Sequence, residues 1–254
     1  MGKKLGQHFL INPDTARKIA ELLSPEEGER VLEIGPGRGA LTEFLAAKNA
    51  DLTAVELDGY LADRIQAAYP DSARVVNEDF LKINIADYAP EKICGNLPYQ
   101  ITGPILEKVI TDKYPWKKAV FMVPDAVARR ITASPGDSEY SAVSVMASAG
   151  HSADYAFSVP PEDFDPPPKI YSGVITLKRE TGPEEKKFYL FTRAAFSRRR
   201  KKLRNSLSIA LSLPAAAVSD ILKRSSIDGN LRPQDLSFEE YKRLFKAFVK
   251  EKLF

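Results

Sequence analysis

Apolar positions in the first half of the chain follow two alternating rhythms. Around Ile19, Leu22 and Leu23 the spacing is helical, and Asn12 or Asp14 can cap that helix with Pro13 in its first turn. Shorter apolar runs of strand length follow at 30–34, 51–57, 74–77, 92–95 and 119–123, with helical stretches at 41–48 and 59–69. Strands alternating with helices at this spacing predict a parallel, doubly wound α/β sheet. After a helix over 141–149, strand-like stretches at 153–159 and 171–177 flank a cluster of prolines (Pro160, Pro161, Pro166, Pro167, Pro168), which suits an antiparallel pair at the end of the sheet. Residues 180–185 read as a linker. Everything beyond is helical in pattern, over 187–208, 214–223 and 237–252. Two domains are therefore expected, 1–180 and 181–254, the second small and all-α.

Charge changes the picture only when the chain is divided. The net value of +3 is unremarkable, yet residues 1–185 carry 20 bases against 28 acids, and residues 186–254 carry 17 against 6. Between Lys186 and Ser219 there are nine bases and no acid. Such asymmetry points to a polyanion at one end, with Arg193, Arg198, Arg199, Arg200, Lys201, Lys202 and Arg204 as the densest basic run. Arginine suits bidentate contact with phosphate, so a phosphate-bearing polyanion is the expected partner. One cysteine (Cys94) and two histidines (His8, His151) leave no disulfide framework and no His/Cys zinc site, and no Asp/Glu loop has calcium-binding spacing, so no metal is expected. Cys94 and His151 read as structural. The absence of an apolar h-region and of any run near the ~20 residues that span a bilayer predicts a cytoplasmic protein off the membrane; a monomer is expected.

The candidate chemistry lies at the ends of the predicted strands. Glu33-Ile34-Gly35-Pro36-Gly37-Arg38-Gly39 ends one strand and opens a helix. Its G-x-G-x-G spacing is not the dinucleotide fingerprint, and the preceding acid would repel a pyrophosphate while tolerating a cationic sulfonium. That favours S-adenosylmethionine over NAD. Glu56, with Leu57 beside it, closes the second strand, where its carboxylate can accept both ribose hydroxyls. Asp79 after the third strand can take the adenine amino group, with Phe80 against the ring. The fourth strand runs into Asn96-Leu97-Pro98-Tyr99. An exocyclic amine such as adenine N6 is a weak nucleophile because its lone pair is conjugated. The Asn96 side-chain oxygen and the Leu97 carbonyl can hold its hydrogens and draw the nitrogen towards sp3 geometry. Pro98 stiffens the turn, and Tyr99 offers a stacking face worth about 1–3 kcal/mol.

These residues resemble the KsgA family of small-subunit (16S) ribosomal RNA adenine dimethyltransferases. The likeness runs through Leu5-Gly6-Gln7-His8-Phe9-Leu10, the glycine loop, Glu56-Leu57-Asp58, the Asn96 turn, Val159-Pro160-Pro161, Phe164, Pro166-Pro167-Pro168-Lys169 and 198–207. The resemblance implies a Rossmann-like class I S-adenosylmethionine methyltransferase fold with a helical domain that grips rRNA. It implies a cofactor site including His8, Leu10, Gly35, Gly37, Glu56, Asp79 and Asn96, and Phe164 opposite Tyr99 to sandwich the target base. It further implies dimethylation of two adjacent adenines in the 3'-terminal hairpin loop of small-subunit rRNA, within an immature 30S-type subunit, and a part in subunit biogenesis. Position 8 is His where many relatives have Asn, and 122–125 and 100–103 also depart from the usual residues. The alternatives are a macrolide-resistance-type methyltransferase of large-subunit rRNA, in which Ile more often stands at the Leu97 position, and a largely non-catalytic assembly or RNA-binding factor.

Overall fold

In the computed structural model, residues 7–182, 184 and 186–254 are described. Leu5 and Gly6 of the N-terminal motif, and Pro183 and Glu185 of the expected linker, lie outside the described residues. The chain divides into two compact units, Met1–Ala128 with Ser152–Gly182, and Arg129–His151 with Pro183–Phe254.

The first unit begins with β1 (Phe9–Leu10) and α1 (Pro13–Leu23). Asn12 caps α1, its side chain accepting the amides of Asp14 and Thr15 while Pro13 fills the first turn. There follow β2 (Arg30–Ile34), α2 (Thr42–Ala46), β3 (Asp51–Glu56), α3 (Gly59–Ala68), β4 (Ala73–Asn77), β5 (Lys92–Asn96), α4 (Thr102–Thr111), β6 (Lys118–Pro124) and α5 (Asp125–Thr132), whose last turn belongs to the second unit. The chain returns through β7 (His151–Val159), β8 (Phe164–Asp165) and β9 (Ser172–Arg179). One sheet has the order β4-β3-β2-β5-β6-β9-β7, and β1 pairs separately with β8. From β4 to β6 the strands are parallel, and β9 runs antiparallel to β6. This is a Rossmann-like, doubly wound sheet. The chain winds outwards from β2 to β4, then crosses to β5 on the other side of β2. The carboxyl ends of β2 and β5 therefore open a crevice at the reversal point, where such sheets bind ligands.

Core burial fixes that register. Val31, Leu32, Leu52, Ile93, Val120 and Met122 are each no more than 2% exposed, as strands covered on both faces require. Gly95 lets β5 pass close under β2: a Cβ there would stand 2.5 Å from the Ile34 carbonyl oxygen. The next residue, Asn96, is thereby delivered beside the glycine loop.

In the second unit α6 (Ala142–Ser148) packs with α7 (Lys186–Phe196), α8 (Leu203–Leu211), α9 (Ala215–Arg224) and α10 (Phe238–Lys250). Phe188, Phe191, Phe245 and Phe248 form its aromatic core, with Phe191 and Phe248 ring centroids 5.2 Å apart. A single cut near residue 180 leaves 129–151 in the first domain. The structure groups that stretch with the helices, because Tyr140 and α6 are buried against them, Tyr140 edge-on to Phe196 at 6.1 Å. The single helix expected over 187–208 is also corrected. Residues 197–202 form a turn between α7 and α8. Five consecutive cations would repel one another at helical spacing. The Ser206 hydroxyl holds the break, donating to the Ala195 carbonyl at 2.6 Å and accepting the Arg198 amide at 3.2 Å. Among the described residues no helix is long and apolar enough to cross a membrane.

Candidate active site

The strand ends converge on one cleft of about 1160 Å³, open to solvent. His8, Leu10, Gly35, Gly37, Glu56, Leu57, Asp79, Phe80 and the whole Asn96–Tyr99 turn line it, together with Glu33. Gly35 and Gly37 adopt φ of 65° and 58°, the left-handed region that other residues enter at a cost. A Cβ on Gly37 would also press on the Phe9 ring at 3.1 Å. Phe9 is covered on its other side by the Arg38 guanidinium, 4.3 Å from the ring centroid, which pairs with Asp165 at 2.6 Å. The glycine loop is thus tied to β1 and β8.

Two buried acids set the electrostatics. Glu56 is 3% exposed, and each of its oxygens accepts one main-chain amide, Gly37 and Asp58, both at 3.0 Å. Each oxygen keeps a further lone pair, so the carboxylate can still receive a diol from the cleft. Glu33 is 1% exposed. Burial pushes its carboxyl up to about 7, the Thr42 hydroxyl bond at 2.8 Å pulls it back, and the Glu56 charge adds to the rise. Two carboxylates in one cleft disfavour an anion and favour a cation. Asp79 accepts the Leu81 amide at 2.9 Å, and Phe80 lies beneath the Lys108 ammonium, 5.5 Å from its ring centroid. Lys108 donates to the Leu81 and Ile83 carbonyls, which shapes this loop. The donor set fits a nucleoside with a cationic tail: a diol acceptor, an amino acceptor with an apolar wall, and acids beneath the glycine loop.

The Asn96–Tyr99 turn is held on three sides. The Leu97 amide donates to the Met122 carbonyl at 3.0 Å, and Pro98 accepts from Ile101 and Thr102. The Asn96 Nδ2 donates to the His8 carbonyl at 3.1 Å, which turns Oδ1 away from that contact as the amide's remaining acceptor. The Tyr99 hydroxyl lies 2.5 Å from the Ser172 oxygen. Burial pushes the Tyr99 phenol above its ordinary value, partly offset by that bond, so the ring is a neutral platform. Burial pushes the Cys94 thiol well up, as suits an inert core position.

Phe164 departs from the expectation. It is 2% exposed and sits in the core cluster with Leu10, Ile19 and Val159; it does not line the cleft. Strand alternation explains this: in β8 Phe164 turns inwards opposite Leu10, and Asp165 turns outwards to Arg38. Arg38, Thr42, Lys108 and Ser172 are contributors the sequence reading missed. Only Arg38, lying between two glycines of the loop, carried a local signal.

In the helical unit the basic run is not uniform. Arg193, Arg198, Arg200, Lys201 and Lys202 are exposed. Arg199 points inwards, donating to the Gln234 side chain at 3.2 Å and to the Ser138 carbonyl. Lys202 donates to Asn230 at 2.9 Å, and Arg204 is half-buried.

Comparison with known proteins bears on the family and the fold. The family described as "Ribosomal RNA adenine dimethylase" matches residues 1–250. Ribosomal RNA small subunit methyltransferase A of Chlorobium phaeobacteroides (strain BS1) is 39% identical over 250 residues, covering 96% of this chain and 92% of its own. The protein of that name from Parabacteroides distasonis is 38% identical over 251 residues, covering 95% and 91%. Among solved structures, a dimethyladenosine transferase from Plasmodium falciparum matches with a TM-score of 0.83 at 24% identity, covering 96% of this chain and 98% of its own. The 23S rRNA methyltransferase ErmE matches with a TM-score of 0.71 at 26% identity, covering 95% and 99%.

Proposed function

The chain belongs to the ribosomal RNA adenine dimethylase family, and from that premise we propose that it modifies small-subunit rRNA, dimethylating N6 of two adjacent adenines in the 3'-terminal hairpin loop. It is an S-adenosylmethionine-dependent rRNA (adenine-N6,N6)-dimethyltransferase. When bound, the cofactor supplies an electrophilic methyl group on a cationic sulfur. Glu56, Asp79 and Phe80 would hold its nucleoside, with Glu33 below the glycine loop as the nearest buried acid.

The observation that carries the chemistry is the orientation of Asn96. With Nδ2 committed to the His8 carbonyl, Oδ1 is the acceptor available to an amine in the cleft, and the Leu97 carbonyl is the second. No general base is needed, since the neutral N6–H is scarcely acidic. The residues act by position and charge, releasing a proton to water once the nitrogen is alkylated. After the first methylation one N–H remains, and one acceptor suffices to hold it for the second.

The small-subunit assignment rests on the names of the full-length relatives. The exposed cations Arg198, Arg200 and Lys201 would grip the RNA backbone from a helical domain at 181–254, with α6 as an added element. We read the protein as a monomer acting on an immature 30S-type subunit in the cytoplasm. The decisive experiment offers pre-assembled small subunits and naked large-subunit RNA in parallel with labelled cofactor. Label in the small-subunit RNA, on two adjacent adenines, is expected. Label confined to large-subunit RNA would move the assignment to the macrolide-resistance type, the reading that the likeness to ErmE keeps open.

A further inference from the structure

Lys108 stands in the last turn of α4, where a lysine ordinarily turns to the helix's own terminal carbonyls. Here the ammonium reaches instead to the loop after β4, donating to the Leu81 carbonyl at 3.0 Å and to the Ile83 carbonyl. It also lies 5.5 Å from the centroid of the Phe80 ring, close enough for a cation–π contact. Burial pulls the ammonium below its ordinary value, and the charges of Asp112 and Asp79 pull it back. Leu81 links this cation to the cleft. Its carbonyl accepts from Lys108, and its amide donates to Asp79 Oδ1 at 2.9 Å. With Oδ1 engaged, Oδ2 is the oxygen left to accept from the cleft, which Asp79 and Phe80 both line. The Asp79 carbonyl takes the Lys82 amide at 2.8 Å, so the loop is closed on itself and then fastened to α4.

We propose that Lys108 is a positioning residue for the cofactor's base: by holding the Leu81 and Ile83 carbonyls it fixes the loop that aims Asp79 and seats Phe80. This rests on the reading that Asp79 takes the adenine amino group. A hydrogen bond weakens steeply as its angle and length depart from the optimum, so a carboxylate on a loose loop would lose most of its preference for an amino group. Lys108 acts at one remove, through Leu81, and touches no part of the cofactor itself. The other end of α4 is fastened to the Asn96 turn, where the Thr102 hydroxyl donates to the Pro98 carbonyl at 2.9 Å. Thr102 and Lys108 are separated along the helix by a rise of about 9 Å. One stiff element therefore serves as the common reference for the loop that reads the cofactor's base and for the turn that holds the target amine.

The test is calorimetric binding of two ligands to the full chain: S-adenosylhomocysteine, and S-inosylhomocysteine, whose base carries a carbonyl oxygen in place of the amino group. The wild type should favour the adenosyl compound by about 10- to 100-fold, the range of one hydrogen bond to a charged acceptor. K108M keeps the apolar stem and deletes the ammonium. It should weaken the adenosyl compound about tenfold and leave the inosyl compound within about twofold, so that the preference shrinks. In turnover it should raise KM for S-adenosylmethionine about tenfold with kcat within about twofold, and K108R should restore both the preference and KM to within about threefold. Should K108M fail to fold, the same ratio is read from K108Q, which is neutral and too short to reach both carbonyls. A variant that weakens both ligands equally, or neither, overturns the proposal, because Lys108 would then serve only the stability of the loop or nothing at all. A wild type that binds both ligands equally overturns the Asp79 reading itself, and the proposal with it.

Discussion

On the proposed function, the cleft at the strand ends and the basic turn at 197–202 solve different problems with opposite means. In the cleft nearly every polar group is spoken for: Glu56 by two amides, Asn96 by the His8 carbonyl, Tyr99 by Ser172. In the turn Arg198, Arg200 and Lys201 stay exposed, and only Arg199 and Lys202 are anchored by side-chain bonds. Methyl transfer depends on aiming one lone pair, and placement errors of an ångström are costly. Gripping a phosphate chain depends on charge density and counterion release, which tolerate loose side chains. Rigidity belongs where a single atom must be placed, and mobility where many similar charges must be met.

That contrast can be broken from either side. The largest effect should come from Asn96→Ala, which removes the oriented acceptor: turnover should fall by about 10²- to 10³-fold, as for loss of one preorganised polar group, while filter binding of RNA is unchanged. A parallel loss of RNA binding would mean that the cleft also does the gripping. Next comes Glu33. Its folded-state value is raised, so the folded protein holds that proton more tightly than the unfolded chain between 4.5 and about 7. The resulting stabilisation is complete below pH 4.5 and is lost as pH rises through 7, about 3 kcal/mol in urea titrations of the cofactor-free protein. Glu33→Gln should flatten this dependence, and an unchanged slope would show that Glu33 is not its source. Replacing Arg200 and Lys201 together by Ala should lower RNA affinity about tenfold and reduce the slope of log K against log salt by about 2. Arg199→Ala is the smallest and sharpest comparison. With its guanidinium turned inwards it should cost about 1 kcal/mol of stability and leave the salt slope nearly untouched. If its slope falls as far as that of its neighbours, the turn is not divided as described.

The same division decided what could be read from the sequence. The glycine loop, Glu56, Asp79 and the Asn96 turn were legible because parallel strands leave apolar runs, and each run ended in a polar residue on one edge. Phe164 was misplaced because two residues of strand offer no periodicity from which to tell its face. Ser172 was invisible because a lone serine at the start of a strand carries no pattern; only the fold brings it to Tyr99, 73 residues earlier. The grouping of 129–151 with the helices rests on ring contacts such as Tyr140 with Phe196, which no local rhythm announces. The basic run was found by composition alone, but composition could not distinguish the anchored Arg199 from its exposed neighbours.

The pairing of β1 with β8 also has a consequence for how the molecule is made. Asp163 accepts from the Asn12 amide at 2.8 Å and the Thr15 hydroxyl at 2.6 Å, and its main-chain oxygen takes the Ile11 amide. Those bonds join residues about 150 positions apart. A chain emerging from the ribosome can form the central strands early, but the bonds of His8, Ile11, Asn12 and Thr15 to residues 163–166 must wait until residue 166 is clear of the exit tunnel. Since His8 both orients Asn96 and faces Tyr99, the cleft is among the last parts of its unit to be completed. A nascent chain arrested before residue 163 should therefore carry a sheet without a finished site, and so reach no RNA as a working enzyme.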